Sequence, residues 1–157
     1  MSAPLPIEAR SAAAELLARI LLAEAGGRPV KAIEGLASLA MNRARASLAS
    51  PEARLRFAAG GEPATLPRAL IAVLRAPFQF PVLHPRHRRH AAFASPAEGD
   101  PALAVCRRVA GRAVSGALRD MVGGATHWHA EELQPGWALG RMPCAEMGGL
   151  SFYRLEG

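Results

Sequence analysis

Lysine is almost missing from this chain: Lys31 is the only one among 19 basic residues, so nearly every positive charge is a guanidinium. Arginine offers a planar fork of donors that suits bidentate capture of carboxylate or phosphate, and coding bias explains the same usage equally well. Aromatic residues are scarce too, at 5%. That disfavours an aromatic-rich sandwich and points to a core of Ala, Leu, Val and Ile in close-packed helices. The two cysteines, Cys106 and Cys144, lie far apart without C-x-x-C spacing. Neither a zinc clip nor a disulfide framework follows, and one disulfide is left open. No stretch reaches the roughly eighteen apolar residues of a membrane span, and the N-terminal residues lack the basic start and apolar run of an export signal.

What is present fits one domain over residues 1–157. Half of the residues are hydrophobic and 20% are charged, enough to bury a single core. The formal charge of +6 favours an anionic partner if the positive residues cluster.

Apolar periodicity predicts three strong helices. Ser11 caps the first, which carries Leu16, Leu17, Ile20 and Leu21 to about Ala25, with Gly26 and Gly27 as the stop. The second opens at Pro29 and repeats Val30, Ile33, Leu36, Ala37, Ala40 and Met41 to about Ala46, so the two should pack as a hairpin. The third opens at Asp100-Pro101 and keeps its period to Gly123-Gly124. Residues 50–67 read as a loop with one helical turn, residues 66–75 as a short helix, and residues 78–100 as an irregular surface excursion. Residues 125–129 and 150–154 are β-prone and predict a small ribbon. The fold class is therefore α-rich (α+β).

Glu24 is the most informative residue. Positions 17, 20, 21 and 24 share a helical face, and the first three are Leu, Ile and Leu. A carboxylate continuing an apolar stripe, beside the negative end of a helix dipole, keeps its proton near neutral pH, as a general acid for glycosidic cleavage requires. The competing reading ends the stripe at Leu21 and turns Glu24 to water. No tidy second carboxylate accompanies it; Glu131 and Glu132 are the nearest candidates, and Asp120 reads as a turn residue. His127 and His129 alternate along one strand face, an arrangement open to a metal, a hydrogen-bond network or a sugar-binding wall. Trp128, Trp137 and Tyr153 serve equally as sugar-stacking faces or as core. The run His84-Pro85-Arg86-His87-Arg88-Arg89-His90 is the densest positive segment. A solvated loop is the default for it; the residue types suit phosphate or carboxylate, while Pro81 and Pro85 argue against a nucleic-acid recognition helix.

Five short pieces in order carry a family resemblance: residues 18–29 around Leu22-Ala23-Glu24-Ala25-Gly26-Gly27; Met41-Asn42-Arg43-Ala44-Arg45; Phe78-Gln79-Phe80; Gly123-Gly124-Ala125-Thr126-His127-Trp128-His129-Ala130; and Pro135-Gly136-Trp137-Ala138 with Phe152-Tyr153-Arg154. Together they resemble the bacterial cell-wall hydrolase family that includes the spore-cortex-lytic SleB-type enzymes. The resemblance implies a lysozyme-like helical domain that cleaves peptidoglycan glycan strands at the MurNAc-GlcNAc β-1,4 bond, commonly as a lytic transglycosylase. It places the catalytic glutamate on Glu24 and makes Asn42, Gln79, Thr126 and His127 substrate-cleft residues, beside Trp128 and Tyr153. Where the family reads G-x-H-x-F-Y, this chain has Leu150 in place of the histidine, and Met121-Val122 stands where relatives tend to have Pro-Thr. The expectations are then a periplasmic or cell-wall site of action and a cationic cleft or rim that tolerates anionic muropeptide stems. No metal, cofactor or nucleic acid is expected. A hydrolytic muramidase, a non-catalytic wall-binding or phage-like module, and a nucleic-acid-binding protein are the rivals.

Overall fold

A long, alanine-rich helix that is apolar on nearly all sides of its second half, where Leu17, Ala18, Ile20, Leu21, Leu22 and Ala23 are all buried, belongs inside a ring of others, and the first helix of this chain is placed so. The computed structural model describes residues 6–59, 61–77 and 79–155. Phe78 of the family-like Phe-Gln-Phe text lies outside the described residues. Helix α1 spans Pro6–Ala25, α2 Val30–Ala49, α3 Pro51–Phe57, α4 Leu66–Leu74, α5 His90–Ala94 and α6 Pro101–Val114. Single 3-10 turns occur at Pro81–Leu83 and Gly136–Ala138. The strands are β1 (His127–Ala130), β2 (Ala145–Met147) and β3 (Leu150–Tyr153), in the antiparallel order β1-β3-β2. The chain is thus mostly helical with one small sheet, as composition and periodicity require.

Leu17, Ile20 and Leu21 of α1 are completely buried, against α6 and α4 chiefly. The contact of α1 with α2 is narrower than either, so the hairpin reading captures neighbours in sequence but not the main packing partners. Helix α2 buries most of its length, from Ala32 through Ser47. Each fully buried Leu or Ile stabilises the fold by roughly 1.5–3 kcal/mol. Among the described residues no helix is long and apolar enough to cross a membrane. Cys106 is buried on α6 and Cys144 is exposed, and both are free thiols, which closes the question of a disulfide between them.

Four element boundaries differ from the periodicity. Helix α1 begins at Pro6, more than a turn ahead of Ser11, so Ser11 lies inside the helix and does not cap it. Helix α6 stops at Val114, well short of Gly123, because Gly116 adopts φ +82° and closes a Schellman motif: Gly116 N donates to Ala113 O (3.2 Å) and Ala117 N to Arg112 O (2.8 Å). Residues 51–57, expected as loop with one turn, form α3, nucleated by Ser50, whose side chain accepts the Ala53 N–H, and by Pro51 in the first turn. The expected two-stranded ribbon gains β2 through a tight turn at Gly148 and Gly149, with φ +57° and +82°, the pairing of positive angles that a two-residue hairpin demands. The excursion over residues 78–100 also holds more order than expected, in α5 and the 3-10 turn at residues 81–83.

Helix α2 passes directly over the sheet at Gly35. A Cβ there would stand 2.8 Å from Met147 Sδ and 2.9 Å from Phe152 Cζ. The missing side chain lets the helix sit close enough for Phe152 to be fully buried beneath it.

Candidate active-site cleft

A cleft of about 950 Å³ opens where the last turn of α1, the C-terminal half of α2, the segment from Gln79 to Arg89, strand β1 and the turn from Glu132 to Trp137 converge. Glu24 lines it, half-buried, with Oε1 accepting the Val82 N–H at 3.2 Å. Burial pushes its carboxyl up to about 7, against the opposing pull of the Val82 N–H and the Arg89 charge. The stripe of Leu17, Ile20 and Leu21 therefore does run on into Glu24.

Strand β1 contributes His127, Trp128 and His129 to the same cleft. His127 is pushed down to about 4, first by burial and then by the charges of Arg43, Arg56 and Arg141, so the ring is neutral at physiological pH. Its Nδ1 lies 3.0 Å from Thr126 Oγ1, and its face is bracketed edge-on by Phe57 and Trp137, at 5.9 and 5.7 Å between ring centres. His129 is bonded through both nitrogens. Nδ1 donates to Ala130 O at 2.8 Å, so Nε2 accepts from the Tyr153 hydroxyl at 2.9 Å. Among the described residues no three His, Cys, Asp or Glu side chains gather as a metal-binding group.

Of the residues expected in the cleft, Glu24, Gln79, His127 and Trp128 line it; Asn42, Thr126 and Tyr153 do not. Asn42 instead donates to Ala125 O (3.0 Å) and Asp120 Oδ1 (3.4 Å), tying α2 to the loop ahead of β1. Thr126 and Tyr153 act on the cleft through the two histidines they contact. Gln79 donates one side-chain amide N–H to Arg56 O at 3.1 Å. Asp120 is the turn residue expected, accepting the Val122 and Gly124 N–H groups at 2.9 and 2.6 Å. Leu150, standing at the family's histidine position, is core.

Arg43 is the functional-site residue that sequence reasoning passed over. It is 4% exposed, yet it lines the cleft, with the guanidinium over the Phe57 and Phe80 rings at 5.3 and 5.5 Å. Its Nε donates to Thr126 O at 2.7 Å, while buried Nη1 has no partner, and burial pushes its pKa down to about 10. The signal existed: position 43 follows Leu36 and Ala40 at helical spacing, as Glu24 follows Leu17 and Ile20. Of the Glu131-Glu132 pair, only Glu132 lines the cleft. Arg28 Nη2 binds both of its oxygens, at 3.2 and 3.0 Å, and holds the carboxyl below the usual range.

Comparison with known proteins finds no family model, no curated protein and no solved structure that matches this chain.

Proposed function

We propose that this chain is a peptidoglycan glycan-strand cleaving enzyme, a lytic transglycosylase acting at the MurNAc-GlcNAc β-1,4 bond in the periplasm or cell wall, on a lysozyme-like domain of the SleB-type family its motifs resemble. The observation that carries the reading is Glu24: a half-buried carboxyl in an open cleft, raised to about 7, protonated for a large part of the time at neutral pH. Protonated Glu24 gives its proton to the bridging oxygen as the C1–O bond breaks and the leaving sugar departs. The resulting carboxylate then takes the proton of the muramyl 6-hydroxyl as that oxygen closes on C1, giving a 1,6-anhydro ring and restoring the acid. One carboxyl serves both steps. His127, neutral and edge-on to Trp137, supplies a hydrogen-bonding wall, and the exposed face of Trp137 suits the apolar face of a pyranose.

Hydrolysis by water requires a second carboxylate as base. Glu132 is the other carboxylate of the cleft, and its ion pair with Arg28 lowers its affinity for a proton, which makes it a weak base. The anhydro-forming route fits this arrangement better.

The test is mass spectrometry of soluble products from purified peptidoglycan treated with the wild type and with Glu24→Gln, at matched circular dichroism. Anhydro-muropeptides that vanish with Glu24→Gln are expected. Reducing-end products would assign hydrolysis instead, and no products from folded wild type would defeat the enzymatic reading.

A further inference from the structure

The basic run 84–90 is not a free solvated loop. His84 Nδ1 accepts the Arg86 N–H at 3.1 Å, and His87 Nδ1 accepts the Arg89 N–H at 3.1 Å, the same ring-to-backbone turn made twice in succession. His90 Nδ1 then bonds Val82 O at 2.8 Å, on the residue whose N–H holds Glu24. Three histidines thus staple the run into a fixed shape against the catalytic carboxyl. Arg89 Nη2 adds a bond to Leu22 O at 3.2 Å, in the last turn of α1, a turn that has no basic residue of its own.

With the histidines spent on the backbone, His87, Arg88 and Arg89 line the cleft on the same wall. Four arginines (Arg28, Arg43, Arg88 and Arg89) face two carboxylates, Glu24 and Glu132. Arg28 is taken by Glu132 and by Gly148 O. Arg88 makes no hydrogen bond or ion pair among the described residues and acts on Glu132 only through space. Arg89 likewise has no carboxylate in contact. The cleft therefore carries exposed guanidinium groups, on a backbone held by the histidines, with no carboxylate partner among the described residues. A guanidinium fork left without an internal partner can receive a planar oxyanion in bidentate fashion.

We infer that the stapled run is an oxyanion-reading wall of the cleft, in which Arg88 and Arg89 receive a carboxylate carried by the peptide substituents of the glycan. This rests on the glycan-binding reading above and adds a selectivity to it: strands that bear acidic peptides are preferred over bare ones. A phosphodiester substituent offers the same oxyanion chemistry, and the experiment separates the two sources.

The binding of soluble glycan strands to full-length Glu24→Gln protein, which does not turn them over, is measured by fluorescence anisotropy at low and high salt. Three preparations are compared with duplex DNA: strands with stem peptides, the same strands stripped of peptide, and stripped strands that retain a phosphodiester polymer. Peptide-bearing strands are expected to bind about tenfold tighter than stripped ones. Adding Arg88→Gln should bring the ratio to within about twofold. Arg86→Gln, an exposed residue of the same run that does not line the cleft, should leave the ratio intact. Equal affinity for the first two strands overturns the wall, as does an equal loss with Arg86→Gln, which would mean diffuse charge. Tightest binding to the phosphodiester strands overturns the carboxylate assignment, and tightest binding to DNA overturns the glycan wall altogether. Preserved discrimination without any cleavage products from wild type sinks the cleavage reading alone; equal affinity with normal products sinks the wall alone.

Discussion

Glu24 shows how one residue couples chemistry to stability. Its folded carboxyl titrates near 7, whereas the unfolded chain releases that proton near the ordinary 4.5. The stability it contributes is therefore fully present below about 4.5 and is lost as pH rises through about 7. Glu24→Gln does not titrate, so its melting temperature should match the wild type near pH 4 and exceed it at pH 8, a difference that thermal denaturation at the two pH values reads directly. Activity follows the same proton: kcat should fall as pH climbs through about 7, because the acid for the first step is lost. His127 has the opposite sign. Its folded value of about 4 lies below the ordinary 6.5, so its contribution is present above 6.5 and lost as pH falls through about 4. Arg43 is one cause of that depression, and Arg43→Met should raise the His127 titration midpoint, followed by its ring proton resonances in NMR. Of these residues, Glu24 was legible because a carboxylate broke an otherwise apolar stripe. The role of Tyr153 was not, since its hydrogen bond to His129 is made between neighbouring strands, and that of Thr126 was not, since its bond to the adjacent His127 depends on side-chain rotamers that spacing does not reveal.

The elements were readable to the extent that their signals were local. Gly26-Gly27 and Pro101 sit where caps and stops demand, and α2 and α4 follow their periodicity closely, whereas α1 overruns its expected start at Ser11 back to Pro6. Strand β2 was hidden because Ala145-Glu146-Met147 has no β-prone text of its own and is a strand only by pairing with β3. The end of α6 was hidden because Gly116 interrupts a run whose apolar spacing continues past it. Where α2 meets the sheet, backbone proximity decides the packing. Gly35→Ala should destabilise the fold by about 1–3 kcal/mol through overpacking against Met147 and Phe152. Gly148→Ala should cost about as much, since φ +57° strains an L side chain and its Cβ would meet the Ala32 Cβ at 2.6 Å. Urea denaturation of both variants checks these values, and a change within experimental error for either would mean the α2-sheet contact is looser than described.

At the scale of the whole molecule, the charge is partitioned. The net +6 is not spread evenly: Arg107 joins Glu15 of α1 and Glu98 ahead of α6 (2.8 Å each), and Arg112 of α6 meets Glu34 of α2 at 3.4 Å, so part of the arginine content closes ion pairs between elements. The unpaired remainder includes Arg88 and Arg89 in the cleft. Composition alone could not say where the positive charge gathers, because the placement of residues 84–90 depends on the histidine staples. The placement of α1 at the centre, carrying Glu24 at its end, likewise follows from α6 and α4 packing on it from distant parts of the sequence.

The single lysine has a practical consequence. Lys31 is exposed in the first turn of α2, two residues after Pro29, while Ile33 and Gly35 just beyond it are buried. A lysine-specific protease therefore has one peptide bond to cut in the entire chain, and that bond is helical. The rate of nicking at Lys31 becomes a clock for the opening of the α1–α2 link.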